Sequence, residues 1–166
     1  MKNLSVLLIS LLFSSIIFAQ ELITLKAGES IPQFKYYTMK GEEKDSKDLA
    51  GKKVLINFTS TWCPYCIEEK VKFEQGYKSL KANNEGIEII VFFGTYGKKI
   101  ERRDTKATVE EYMKKNNYTF PIYFDADRSV IEKFGAKVIP TTFFVDEKGK
   151  IVEVSEEYYK LKNLKK

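Results

Sequence analysis

The sequence contains no histidine and only two cysteines among its 166 residues. The lack of histidine excludes hydrolase mechanisms that depend on an imidazole base. It also disfavours a zinc site, because zinc in proteins usually takes four cysteine, histidine or carboxylate ligands. A network of structural disulfides cannot form from two cysteines. A chain of this length buries roughly two thirds of its unfolded surface, so it can fold without such bridges.

No large excess of one charge is present. The chain has 28 Lys and Arg against 23 Asp and Glu, a net charge of +5. One basic cluster is interrupted by acidic residues, and it comprises Lys98, Lys99, Glu101, Arg102, Arg103 and Asp104. Mixed signs favour a solvated loop, with steering of an acidic partner as the alternative. We expect no nucleic-acid partner.

The first residues differ in composition from the rest of the chain. Lys2 is followed by an almost wholly apolar run from Leu4 to Ala19, and Gln20 begins the polar sequence. A positive start, an apolar stretch and a small residue at its end indicate a secretory signal. We therefore divide the chain into a signal segment, residues 1–19, and one domain, residues 20–166. An uncleaved N-terminal anchor is the alternative, although the run is shorter than the ~20 residues that span a bilayer. Either outcome predicts export to the periplasm or cell envelope.

The two cysteines, Cys63 and Cys66, lie two residues apart, after an apolar run over residues 54–58 and before a stretch of helical spacing over residues 63–82. A helix N-terminus stabilises the reactive thiolate. Cys63 is the expected solvent-facing nucleophile, and Cys66, one turn inward, is the resolving thiol. A structural disulfide is the alternative, but so short a loop constrains the unfolded chain little.

The remaining pattern predicts alternating strands and helices. Strands are expected at residues 33–36, 54–59, 87–93, 120–124, 141–145 and 150–154, the last two forming a hairpin around a turn at 146–149. The 87–93 run is apolar enough for a central strand, whereas Pro121 places its strand at an edge or an end. The resulting fold class is an α/β sandwich around a mixed sheet, mostly parallel with an antiparallel C-terminal hairpin. We detect no internal repeat.

Helix positions follow from capping and periodicity. Capping boxes are predicted at Thr108–Glu111 and at Ser129–Glu132, and Ser155 is expected to cap a C-terminal helix. In the helix after Cys63, the apolar residues at helical intervals are Ile67, Val71, Tyr77 and Leu80.

These features together resemble the TlpA/ResA-like branch of the thioredoxin superfamily. The resemblance covers about residues 25–160, and it is carried by residues 27–34, 49–58, 61–66, 120–125 and 139–149. The active-site sequence is Trp62-Cys63-Pro64-Tyr65-Cys66, and only this Trp-Cys-Pro-x-Cys motif is specific by itself. The resemblance implies a thioredoxin fold with an N-terminal extension and a central insertion, and thiol–disulfide oxidoreductase activity.

The resemblance also implies roles for individual residues. Pro140 would be a cis-proline opposite the cysteines, so that Ile139, Pro140 and Thr141 contact an extended substrate segment. Trp62 would either contact clients or simply pack, and Pro64 and Tyr65 would tune the thiol pKa. Asn57 stands where thioredoxins carry a buried carboxylate. Glu69 aligns with a common family glutamate, and it is either the proton acceptor for Cys66 or an exposed helix residue.

We expect a monomer that needs no cofactor beyond its redox-active disulfide and binds no metal. Its partners would be protein disulfide clients and a membrane-linked electron donor or acceptor outside the cytoplasm. Reduction of client disulfides is the expected direction, with disulfide formation by the same site as the alternative. A peroxiredoxin-like peroxidase is a weaker alternative, because Ile56 stands where the peroxiredoxin motif has proline. The remaining alternative is a non-catalytic module that binds thiol clients.

Overall fold

The computed structural model describes residues 24–96 and 103–155. Within them lie seven strands, three α-helices and a short 3-10 helix (Ser46–Leu49). In chain order the strands and α-helices are β1 (Lys35–Tyr37), β2 (Glu43–Asp45), β3 (Lys53–Thr59), α1 (Pro64–Ala82), β4 (Ile87–Gly94), α2 (Lys106–Lys115), β5 (Ile122–Asp125), α3 (Ser129–Phe134), β6 (Thr141–Val145) and β7 (Ile151–Ser155). The signal segment and the predicted C-terminal helix after Ser155 lie outside the described residues, as does most of the basic cluster. Among the described helices, none combines the length and the apolar composition needed to cross a membrane.

Five strands form the central sheet in the order β5-β4-β3-β6-β7. β3 pairs with β4, and β4 with β5, in parallel, whereas β6 runs antiparallel to both β3 and β7. The prediction of a mixed α/β sheet with an antiparallel C-terminal hairpin is confirmed. β4 is an inner strand and β5 an edge strand, as their sequences predicted. The antiparallel pairing of β6 with β3 was not evident from the sequence.

Strand alternation separates two apolar clusters, one on each face of the sheet. Val54, Ile56 and Phe58 of β3 pack on the face covered by α3 and by β1, while Leu55 packs on the opposite face with α1 and α2. Each such apolar side chain contributes roughly 1.5–3 kcal/mol when it is fully buried. This alternation also decides which polar residues face α1, because successive side chains point to opposite faces.

Both predicted capping boxes were misplaced. In α2 the box is one turn earlier: the Thr105 hydroxyl accepts a hydrogen bond from the Thr108 N–H, and the Thr108 hydroxyl accepts one from the Thr105 N–H. α3 is capped by two carboxylates that precede the predicted box: Asp125, at the end of β5, accepts the N–H groups of Val130 and Ile131, and Asp127 accepts that of Ser129. Ser129 is the first helical residue and not the cap.

The buried face of α1 agrees with the prediction at Tyr77 and Leu80, which pack on the sheet, but differs from it in the first turns. Ile67 and Val71 are exposed, at 41% and 50%. The buried residues of the helix are Cys66, Glu69, Lys70, Phe73, Glu74 and Leu80. With Cys66 turned inward from the first turn, the residues three, four and seven positions later are also turned inward. The helix is therefore oriented by its cysteine, and charged side chains are buried in consequence.

Candidate active site at the start of α1

The chain leaves β3 at Thr59 and enters α1 at Pro64, with Cys63 as the helix N-cap. Proline suits the first helical position, where its missing N–H has no intrahelical partner to lose. For the described chain, this N-terminus has no capping hydrogen bond from a side chain and no acidic residue in its first turn. The unpaired N–H groups and the helix dipole therefore leave a positive potential beside Cys63.

Cys63 and Cys66 are both free thiols, so the structure is that of the reduced dithiol. The Cys66 thiol donates a hydrogen bond to the Cys63 sulfur, and this bond is the largest of the effects that lower the pKa of Cys63. Burial opposes the shift, while the N–H groups of Cys66 and Tyr65 and the charge of Lys70 reinforce it. The same thiol–thiol hydrogen bond, together with burial, raises the pKa of Cys66. One sulfur is thus favoured as an anion and the other as a proton carrier.

The prediction that Cys63 faces solvent is wrong, because only 5% of its surface is exposed. The carbonyl oxygen of Ile139 lies 3.6 Å from its Sγ atom and covers it from the neighbouring loop. The Ile139–Pro140 peptide bond is cis, as predicted. Thr141 closes this loop by donating a hydrogen bond of 2.7 Å from its hydroxyl to the Val138 carbonyl. The structure therefore brings together the cysteines and the loop that the sequence resemblance paired with them.

Asn57 and Glu69 meet beneath this site. Asn57 of β3 lies directly opposite Thr142 of β6, and both side chains face α1. The Asn57 amide donates to the Thr142 hydroxyl at 2.8 Å and approaches the two Glu69 carboxylate oxygens at 3.3 and 3.4 Å. Glu69 is 1% exposed, so it is a buried residue and not an exposed helix glutamate. Thr142 completes this polar group, and sequence reasoning did not single it out.

The other predicted residues frame the site from outside. Trp62 is half-buried, Pro64 is exposed, and Tyr65 is 73% exposed. Val138 is also exposed, at 48%, beside the cis-proline loop. An apolar rim therefore surrounds the largely covered sulfur. A client-binding role for Trp62 stays a prediction.

Sequence reasoning missed two buried charged residues near the dithiol. Lys70 is 1% exposed, and its ammonium group donates to the carbonyl oxygens of Ser60 and Cys66 at 2.6 and 3.1 Å. Asp104 is 2% exposed and accepts hydrogen bonds from both the N–H and the hydroxyl of Thr61. The position of Lys70, four residues after an inward-facing Cys66, was the signal that could have identified it.

Metal chemistry has no evident ligand set in the described part of the chain, where no cluster of three or more His, Cys, Asp or Glu side chains is suited to an ion. The arrangement is one of dithiol chemistry: a thiol of lowered pKa, a protonated partner thiol, and a backbone carbonyl next to the reacting sulfur. A five-stranded sheet with a Cys-x-x-Cys at the start of its first long helix defines the molecule as a thioredoxin-fold dithiol protein.

Comparisons with known proteins agree with this class. The Redoxin family model matches residues 26–166. The thiol-disulfide oxidoreductase ResA of Bacillus subtilis is 30% identical over 131 residues, which cover 79% of this chain and 68% of ResA. The ResA of Halalkalibacterium halodurans is 32% identical over 129 residues, covering 78% of this chain and 68% of that protein. The chain therefore belongs to the Redoxin family and is a ResA-like thiol–disulfide oxidoreductase of the thioredoxin superfamily.

Solved structures show the same fold. StoA from Bacillus subtilis superposes with a TM-score of 0.66 at 24% identity, covering 81% of this chain and 94% of StoA. The MTB protein dsbF, whose structure holds mixed oxidised and reduced forms, gives a TM-score of 0.65 at 26% identity, with 81% and 94% coverage. The family and the fold expected from the sequence are both confirmed.

Proposed function

We propose that the protein is an exported reductase of protein disulfides that works through Cys63 and Cys66. The observation that carries this proposal is the placement of Cys63. Its sulfur lies at an uncapped helix N-terminus and accepts a hydrogen bond from Cys66, both of which favour the thiolate, whereas the Ile139 carbonyl oxygen at 3.6 Å accepts a hydrogen bond from the thiol form. A thiolate stabilised in this way is a nucleophile near neutral pH.

The reaction proceeds in two exchanges. The Cys63 thiolate attacks a client disulfide, forming a Cys63–client bond and releasing the other client sulfur as a thiolate. Cys66 then loses its proton and attacks the Cys63 sulfur, forming the Cys63–Cys66 disulfide and releasing the second client thiolate. Two electrons pass to the client, and a thiol donor outside the cytoplasm must return two to this protein. No other cofactor is needed for these steps.

Glu69 is the proposed acceptor of the Cys66 proton. In the mixed disulfide Cys63 carries no charge, but burial still raises the pKa of Cys66, so the second exchange is helped by a base. Glu69 lies three residues further along α1, on the same side of the helix, and it is held by Asn57 and Thr142. Asn57 cannot itself accept a proton and serves to orient the carboxylate. Glu69→Gln should slow release of the client while leaving the first attack by Cys63 unchanged, and a quenched-flow time course separates the two.

The proposed client site is the loop of Ile139, Pro140 and Thr141 with Trp62 beside it. The Ile139 carbonyl faces the Cys63 sulfur, so the backbone of an extended client segment can lie along this loop and bring its disulfide to Cys63. The exposed side chains of Tyr65 and Val138 add an apolar border. Clients with apolar residues next to an exposed disulfide would be preferred.

Residues 1–19 are proposed to direct export, with the mature chain beginning at Gln20. N-terminal sequencing of the protein recovered from the cell envelope tests this boundary. An intact N-terminus in a membrane fraction would instead indicate an uncleaved anchor.

The decisive experiment uses Cys66→Ser with a reporter protein that carries one exposed disulfide. Cys66→Ser should accumulate a mixed disulfide through Cys63, and Cys63→Ser should form none. A variant with serine at both positions that still binds the client would favour a binding module. Rapid peroxide consumption by the wild-type protein would favour a peroxidase.

The reduction potential of the dithiol decides the direction. We expect a value nearer the reducing end of the family range, about −270 mV, than the oxidising end, about −120 mV. The reasons are the resemblance to the TlpA/ResA-like branch and the absence of a histidine between the cysteines that would stabilise the thiolate. A potential near the oxidising end would reverse the proposal and make the protein a source of disulfides.

A further inference from the structure

Lys70 is a buried cation directly behind the dithiol. Its side chain runs back toward the start of α1, where the ammonium group binds the carbonyl oxygens of Ser60 and Cys66. The same group lies 5.2 Å from the ring centroid of Phe93 and 5.3 Å from that of Tyr112. Two carbonyl dipoles and two aromatic faces therefore solvate a charge that is 1% exposed.

A charge in this position is expensive for the fold. Burial lowers the pKa of Lys70 to about 8, because the ammonium form has lost most of its water. The neighbouring side chains of Phe73, Phe93 and Val109 form an apolar cluster in which an aliphatic residue would pack without this cost. The cation thus needs an explanation beyond packing. Joining the Ser60 loop to the first turn of α1 is one explanation, and an electrostatic effect on the thiols is the other.

The ionisable groups around Lys70 lie at the start of α1, in α2 and in the segment just before α2. Those that act on its charge or face it are Cys63, Cys66, Glu69, Asp104 and Tyr112. Its charge helps to lower the pKa of Cys63 and acts in the same direction on Cys66. Both sulfurs are therefore within its electrostatic influence, and the carboxylates of Glu69 and Asp104 favour its charged form.

The charge acts differently on the two redox states. Reduction of the Cys63–Cys66 disulfide takes up two electrons, and above the pKa of Cys63 it takes up one proton, on Cys66. The product then carries a negative charge on Cys63 that the disulfide lacks. A fixed cation stabilises this product and leaves the neutral disulfide unaffected.

We infer that Lys70 is a positioning residue that holds a positive charge behind the dithiol, stabilises its reduced thiolate form and raises its reduction potential. The inference rests on the dithiol chemistry proposed above. It adds a buried charge to the thiol–thiol hydrogen bond and the helix N–H groups that already act on Cys63. In this arrangement the balance of buried charges, and not the dipeptide between the cysteines alone, determines how strongly the protein reduces its clients.

Two variants separate the charge from the hydrogen bonds. Lys70→Gln keeps an amide that can donate to the Ser60 and Cys66 carbonyls but removes the charge, and Lys70→Met removes both. Lys78→Gln is the matched control, because Lys78 is a cation of the same helix with 61% of its side chain exposed. Each reduced protein is equilibrated with glutathione disulfide, which takes two electrons from the dithiol and becomes two glutathione molecules. The Cys63 pKa is followed by the ultraviolet absorbance of the thiolate.

Both Lys70 variants should shift the equilibrium about tenfold toward the protein disulfide and raise the Cys63 pKa by about one unit. A tenfold shift in this two-electron equilibrium corresponds to a potential about 30 mV lower. Lys78→Gln should change neither quantity. A Lys70→Gln protein that matches the wild type would overturn the inference and leave the hydrogen bonds as the function of Lys70. Should Lys70→Met fail to fold, Lys70→Gln decides alone.

These measurements need no client protein. If the thiolate titration shifts as expected but the reporter disulfide is not reduced, the inference about Lys70 stands and the proposed function fails. If the reporter is reduced and the titration does not shift, the proposed function stands and the inference about Lys70 fails.

Discussion

The N-termini of α1 and α3 use buried charge in opposite ways. Both helices begin where a strand of the sheet ends, β3 in one case and β5 in the other. At α3 the Asp125 carboxylate accepts two helix N–H groups, at 3.2 and 3.0 Å. At α1 the cation Lys70 binds carbonyl oxygens of the first turn and the preceding loop, while the buried carboxylates of Glu69 and Asp104 accept hydrogen bonds from Asn57 and Thr61 and not from the first helix N–H groups. The first arrangement satisfies the helix donors, whereas the second leaves them for the Cys63 sulfur.

This difference separates a helix end built for stability from one built for reactivity. A carboxylate at an N-terminus complements the helix dipole and stabilises the fold. A cation there opposes the dipole, and its charge is favourable when a negative charge develops nearby. At α1 that negative charge is the Cys63 thiolate. The helix end that performs chemistry is therefore expected to cost stability, whereas at α3 the two N–H hydrogen bonds act against the burial that raises the pKa of Asp125.

The largest predicted effect is on the pH dependence of stability through Lys70. Folding lowers its pKa from 10.5 to about 8, so the folded state releases this proton first as pH rises. The cost of the buried charge is complete below about pH 8 and disappears by about pH 10.5. Relative to Lys70→Met, the reduced wild-type protein should gain about 3 kcal/mol in unfolding free energy across this range.

Urea unfolding at both ends of the pH range measures the gain. Lys70→Gln serves as the control, because it also lacks the charge and should show the same pH dependence relative to the wild type as Lys70→Met. If the difference between wild type and Lys70→Met were constant, the charge at α1 would carry no cost and the contrast with α3 would be lost.

Removing the cap of α3 should have the next largest effect. Asp125→Ala leaves the N–H groups of Val130 and Ile131 without their acceptor, at a cost of about 2 kcal/mol in unfolding free energy. Chemical denaturation measures this loss, and Asp125→Asn, which keeps an acceptor oxygen, should lose less. The pKa of Cys63 should not change in either variant. An altered thiol pKa would show that the two helix ends are coupled.

Removing the cap of α2 should lower the unfolding free energy as well, but by less than removing the cap of α3. Thr105→Ala removes the hydroxyl that accepts the Thr108 N–H and should cost about 1 kcal/mol. The expected lowering of the urea midpoint is smaller than for Asp125→Ala, because this cap is exposed to water. An equal or larger loss would mean that burial adds nothing to capping in this fold.

The smallest predicted effect comes from giving α1 an acidic first turn. Tyr65 is 73% exposed, so Tyr65→Glu places a carboxylate in water beside the Cys63 sulfur. It should stabilise the helix by about 0.3–1 kcal/mol and slow alkylation of Cys63 by about twofold at pH values below the thiol pKa, since a like charge raises that pKa. Tyr65→Gln is the uncharged control. A carboxylate that increased both the stability of the fold and the reactivity of Cys63 would contradict the proposal that these two properties change in opposite directions at this helix end.

Much of the fold was accessible from the sequence because apolar periodicity is a local signal. The strands around β3, β4 and β6 were predicted within one residue of their observed bounds, as was the start of α1. The caps of α2 and α3 were not. For α3 the capping group is a carboxylate from the preceding strand, and a pattern confined to the helix cannot identify it.

The orientation of α1 shows the same limit at the active site. Apolar spacing favoured a buried face with Ile67 and Val71, but both are exposed and Lys70 is buried. Periodicity assumes that burial follows hydrophobicity. Here the inward position of Cys66 fixes the helix rotation, and the charged residues that follow at helical intervals become buried with it.

The sequence by itself determined that two cysteines precede a helix, that the strands around them form an apolar sheet, and that no histidine shares their chemistry. These are properties of spacing and composition, and they are encoded locally. Tertiary structure alone decided that the Ile139 carbonyl covers Cys63, that Asn57 and Thr142 hold Glu69, and that Lys70 lies behind the dithiol. Each of these contacts joins elements through the packing of α1 on the sheet. That packing buries the charged side chains, and burial strengthens their electrostatic interactions.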